Sequence, residues 1–184
     1  MRRTFRIALV VLAITLATGL GASGALLVEH EPDQHALHTQ SSSSALVEKV
    51  REATDGFRLT IPDEYVQFLG CVSGPEEGAM GVHFVNFSLV DGKPEAEHPE
   101  ALIYDVKNGR ARLVGVEYIV PVESWKPNEG EPPVPVLEGQ VFHFTESPNR
   151  FGLPAFYELH VWAWRDNPNG TFADWNTRVS CDGQ

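Results

Sequence analysis

ALIYDVKNGRARLVGVEYIV, residues 101–120, reads as two β-strands and the turn that joins them. Apolar and β-branched residues alternate with other types on both sides of Asn108-Gly109. Asn-Gly between alternating runs is a strong signal for a two-residue hairpin, because both residues tolerate the positive φ that such a turn requires. The sheet is therefore expected to be antiparallel and to grow outward from this hairpin. Upstream, MGVHFVNFSLV (80–90) alternates with period two and meets a turn at Asp91-Gly92. Downstream, QVFHF (140–144) and FYELHVWAW (156–164) have the β-branched and aromatic content of strands. The proline-rich stretch 121–138 cannot lie inside a sheet, since proline donates no ladder hydrogen bond, and is expected to be a surface loop able to cover a cavity.

On the N-terminal side the period changes. ALVEKVREATDGF (45–57) sets Leu46, Val50, Ala53 and Phe57 at helical spacing, which predicts an amphipathic helix laid on the core. Pro62-Asp63-Glu64 has the composition of the first turn of a second short helix, running to about Leu69. The expected fold class is α+β: a helix or two, then a mostly antiparallel sheet of about five strands, curled toward a partial barrel.

Of the 184 residues, 42% are hydrophobic, enough for one core. The first six residues, Met-Arg-Arg-Thr-Phe-Arg, precede an apolar run from Ile7 to Leu20 and the small residues GASGA, the pattern of a secretory signal peptide over 1–25. That run is too short and too rich in Ala, Thr and Gly for a lasting membrane span. Residues 26–44, with His30, His35, His38 and a serine tract, form a polar leader, and 45–184 a single domain. A secreted or periplasmic location follows. The formal net charge of −11 excludes nucleic acid as a partner, and removal of Arg2, Arg3 and Arg6 with the signal makes the mature chain more acidic still. With export expected and only two cysteines in the chain, Cys71 and Cys181 are expected to pair.

The apolar strands carry ionisable residues. Alternation puts Glu158 and His160 on one side of FYELHVWAW. It sets His83 in a row with Val85, Phe87 and Leu89, and Glu117 in a row with Leu113, Gly115 and Ile119. Buried ionisable groups need partners, and two histidines with one or two carboxylates suffice to bind a divalent ion such as zinc, iron, manganese or copper. The candidate ligands are His83, Glu117 and His160, with Glu158 as fourth ligand or catalytic base, and His143 as a possible substitute. The competing reading has the histidines as ordinary core residues and the glutamates paired with Arg110, Arg112 or Arg165. Trp162, Trp164 and Trp175, beside several asparagines, offer either core packing or a stacking platform for a ring.

GAMGVHFVN (78–86), PEALIYD (99–105), LVGVEYIVP (113–121), FYELHVWAW, NPNGTFADWN (167–176) and VSC (179–181) together resemble a family of small secreted bacterial proteins with no known activity. The resemblance spans most of residues 45–181. It implies that His83, Glu117, Glu158 and His160 lie in the family's characteristic segments and that both cysteines belong to its pattern. This chain departs from that pattern at Thr177, where proline is expected, and around 60–65. Three functions fit: an exported protein with a His/Glu metal site, catalytic or not; a non-catalytic module binding a small molecule or glycan in an aromatic-lined pocket; and a structural surface protein without a site.

Overall fold

The computed structural model describes residues 45–183 apart from Pro75 and Glu131. The expected signal peptide and polar leader lie outside the described residues. A helix, α1, covers 45–54 and runs into a 3-10 turn, Asp55–Phe57. Eight strands follow: β1 (Val66–Gly74), β2 (Gly78–Val85), β3 (Ala101–Lys107), β4 (Arg110–Pro121), β5 (Val136–Leu137), β6 (Gln140–Val141), β7 (His143–Thr145) and β8 (Phe156–Val161). Six of them make one strongly curled antiparallel sheet in the order β1-β2-β3-β4-β8-β7, while β5 and β6 pair separately.

The fold is α+β as expected, but β2 ends at Val85, so Phe87 and Leu89 leave the expected row with His83, β5 falls inside the stretch expected to be loop, and two larger differences follow. The sheet has six strands rather than about five, and the segment expected to be a second helix is β1. Pro62 only opens a turn, closed by the Tyr65 N–H on the Pro62 carbonyl (3.1 Å). From Val66 onward, pairing with β2 gives Val66–Phe68 and, after a break in register, Val72–Gly74 ladder partners that a helix of two turns could not match. The β3–β4 hairpin is as read: Asn108 (φ 51°) and Gly109 (φ 71°) form its two-residue turn.

One sheet face meets α1. Leu46 and Val50 insert between Leu102, Tyr104, Val116, Tyr118, Leu159 and Val161 to form the main core. Tyr104 and Tyr118 are buried, and each hydroxyl donates to a backbone carbonyl, Tyr104 to Phe57 and Tyr118 to Ala96 (both 2.7 Å). The opposite face carries a smaller cluster of Ala79, Ile103, Val114, Trp162 and Val179, packed against the Cys71–Cys181 disulfide (Cα–Cα 5.5 Å).

A bulge corrects the parity expected for β4. Ile103 faces Gly115 but Tyr104 faces Leu113, leaving Val114 unpaired in the ladder. Its carbonyl accepts instead from the Trp164 and Arg165 N–H groups (3.0 and 3.1 Å). Leu113 is thereby moved to the α1 face, away from Glu117, and Val114 takes its place on the other.

Candidate metal centre

The face opposite α1 gathers the ionisable residues. Glu117 and His160 are directly paired across β4 and β8. In an antiparallel ladder such residues project from the same face, about 5 Å apart. His83 is paired with Ile103 on β3, which in turn faces Gly115 on β4. Gly115 has no side chain to interpose, so His83 reaches over it toward Glu117 and its Nε2 lies 3.2 Å from Glu117 Oε2. The rings of His83 and His160 meet edge to face at 5.8 Å between centroids. One ligand atom each from His83, Glu117 and His160 lies within 4.8 Å of the other two, and all three residues are buried.

Glu158 stands beside this group. Its Oε2 is 3.9 Å from His160 Nδ1, and its Oε1 accepts a short hydrogen bond from the Thr145 hydroxyl on β7. Its carboxyl neighbours that of Glu117, and the two influence each other's ionisation. His143 faces Glu158 across the β7–β8 ladder but is half exposed, and its Nδ1 contacts Asp174 Oδ1 at 2.9 Å. The same Asp174 oxygen lies 3.6 Å from His160 Nδ1.

Burial dominates the electrostatics. It pushes His83 down to about 4 and His160 well below the ordinary histidine value, aided at His160 by His83 and His143. Burial also raises Glu117 well above the usual carboxylate range, reinforced by the charge of Glu158, whose own pKa is raised by burial against the opposing Thr145 hydrogen bond. Burial thus favours the neutral form of both histidines and of both carboxyls. The His83–Glu117 contact is a close approach of two buried side chains, in which the depressed pKa of His83 works against a charged pair.

Among the described residues neither glutamate pairs with an arginine; Arg165 instead bonds Asp105 (3.2 Å). Both ring nitrogens of His160 lack a hydrogen-bond partner among the described residues, although the residue is only 1% exposed. Two imidazoles and a carboxylate converging on one point are a donor set for a divalent transition ion, with Glu158 available as a fourth oxygen.

The tryptophans do not come together as a platform. Trp162 stacks on His160 in the smaller cluster, Trp164 packs on the α1 side beneath Arg58, and Trp175 lies beneath Arg150. Asp174 and Thr145 escaped the reading from sequence. Thr145 pairs with Phe156 and so shares a face with Glu158, which strand alternation could have revealed once β7 was in register. Asp174 belongs to a loop with no periodicity, brought over the sheet by the Trp162 N–H on the Thr171 carbonyl (2.9 Å) and the Ala79–Asn176 bridge.

Comparison with protein-family models, with curated proteins and with solved structures gives no match for this chain.

Proposed function

We propose that the chain is an exported metal-binding α+β protein in which His83, Glu117 and His160 hold one divalent ion, with Glu158 as fourth ligand or as proton acceptor beside an open coordination position. The observation that carries this reading is His160. An imidazole in the interior with neither nitrogen hydrogen-bonded forfeits its desolvation cost, and a metal bond to one nitrogen recovers it. The second nitrogen faces the carboxylates of Asp174 and Glu158, the kind of partner that orients metal-binding histidines. An ion in such a site polarises a carbonyl or activates water. Export is supported by the disulfide, which belongs to oxidising compartments.

Elemental analysis of the purified protein, followed by calorimetric titration of the metal-free form with zinc, cobalt(II) and manganese(II), tests the proposal. One equivalent of ion should bind, and His83→Ala or His160→Ala should weaken binding by about 100-fold or more. The Thr145–Glu158 bond and the closeness of His83 to Glu117 favour a second reading, a polar cluster that completes itself around an uncharged ligand. Absence of binding for all three ions would leave that reading in place.

A further inference from the structure

Above the ionisable residues the sheet face opens into a cavity of about 40 Å³, with His83, Glu117 and Glu158 in its lining. Its other walls are apolar. β1 supplies Phe68, Leu69 and Val72 from the stretch where its register with β2 breaks, and the segment leading into β8 supplies Phe151 and Leu153. A second space of about 160 Å³ adjoins it, and the two share Phe68, Val85, Ile119, Leu153 and Phe156 as common wall. This outer space is a surface groove edged by Phe87, itself 59% exposed, and by Val90. The single ionisable residue lining it is Glu123.

We infer that this groove and cavity form one binding site for a small neutral apolar molecule that ends in a single oxygen donor, a ketone, aldehyde, ester or alcohol, with the tail in the groove and the oxygen against His83 and Glu117. The inference rests on the metal-centre reading only for what the oxygen meets; the groove itself stands apart from it. A carbohydrate or peptide would strand its polar groups against Phe68, Val85, Ile119 and Leu153, where no donor or acceptor answers them. An anionic tail would meet Glu123 at the outer end and the glutamates at the inner end. The volume is below the few hundred cubic ångströms of ordinary drug-sized sites, which sets the ligand at a short chain or one ring.

The test is the affinity of 2-butanone, 2-hexanone and 2-octanone for the full chain, measured by calorimetry or ligand-observed NMR with the protein metal-free and zinc-loaded. Burial of the chain in the groove predicts an affinity gain of about fourfold per added methylene in both forms. Zinc should add an increment that is the same for all three ketones. Ala155→Trp, which fills the groove from its wall, and Val90→Arg, which charges its edge, should each flatten the chain-length series while sparing zinc binding. Equal affinity for the three ketones in the unaltered protein overturns the inference, whatever zinc does. A chain-length series that persists in both variants places the tail elsewhere and overturns it too. A normal series in a protein that takes up no zinc upholds the groove and counts against the metal centre, whereas bound zinc with no increment overturns the placement of the oxygen, so the two failures are distinguishable.

Discussion

Glu100 is 1% exposed, and its Oε2 accepts a hydrogen bond from the Ile119 N–H (3.2 Å). Burial pushes its carboxyl up to about 8; its own N–H and that of Ile119 pull the other way, while Asp91 and Glu95 add to the rise. Between about pH 4.5 and 8 the folded protein keeps this proton and the unfolded chain releases it. Glu100 therefore contributes stability that is fully present below pH 4.5 and lost as pH rises to about 8. The histidines of the site act oppositely, since their depressed values cost stability as pH falls below about 6.5. Urea midpoints of the wild type and Glu100→Gln between pH 5 and 8 isolate the first effect. The variant should gain on the wild type by roughly 2–5 kcal/mol across that window, and parallel curves would rule the effect out. At His160 stability and binding should part company. His160→Leu removes two unpartnered nitrogens from the interior, so the metal-free variant should be more stable by about 1–2 kcal/mol in urea unfolding while failing to bind zinc.

At the scale of the element, the bulge at Val114 and the bare Gly115 make the approach of His83 to Glu117 possible. A Cβ at Gly115 would stand 2.7 Å from the carbonyl oxygen of Val161, the last residue of the strand that carries His160, and 3.3 Å from Cα of the following Trp162. Gly115→Ala should therefore cost about 1–3 kcal/mol and separate β8 from β4 at the site, seen as a lower Tm together with weaker zinc binding. An unchanged Tm would show that the two strands can give way there. The same two residues mark where the sequence could be read and where it could not. Alternation along FYELHVWAW put Glu158 and His160 on one face, because six residues of β8 are regular and parity survives. It also joined Glu117 to Leu113, because one unpaired residue reverses parity and nothing in RLVGVEYIV marks it apart from a glycine. The helix expected to run to Leu69 failed because the apolar residues of VQFLG are too few to separate a helix from a strand, and partnership with β2 decided the matter. Register between strands distant in sequence, which sets the 4.8 Å grouping, is a property of the assembled sheet.

For the whole molecule, the disulfide joins the irregular part of β1 to the C-terminal tail across 110 residues. Closing so long a loop in the unfolded chain is worth about 4–5 kcal/mol in the chain-entropy model. The doubly substituted Cys71→Ala, Cys181→Ala protein should lose that much in urea unfolding, and an unchanged midpoint would mean that the unfolded chain is already held compact. The strand order has a consequence for how the molecule is made. His83 and Glu117 lie on β2 and β4, each of which pairs with β3 between them, whereas β8 is the last long strand of the sheet and inserts between β4 and the earlier-made β7. Until Phe156–Val161 takes that place a nascent chain offers two of the three candidate ligands, and pairings this remote in sequence are slow to form. If the site holds an ion, that ion is captured by a finished protein rather than acting as a template for folding, and a chain interrupted before His160 lacks one of the three candidate ligands.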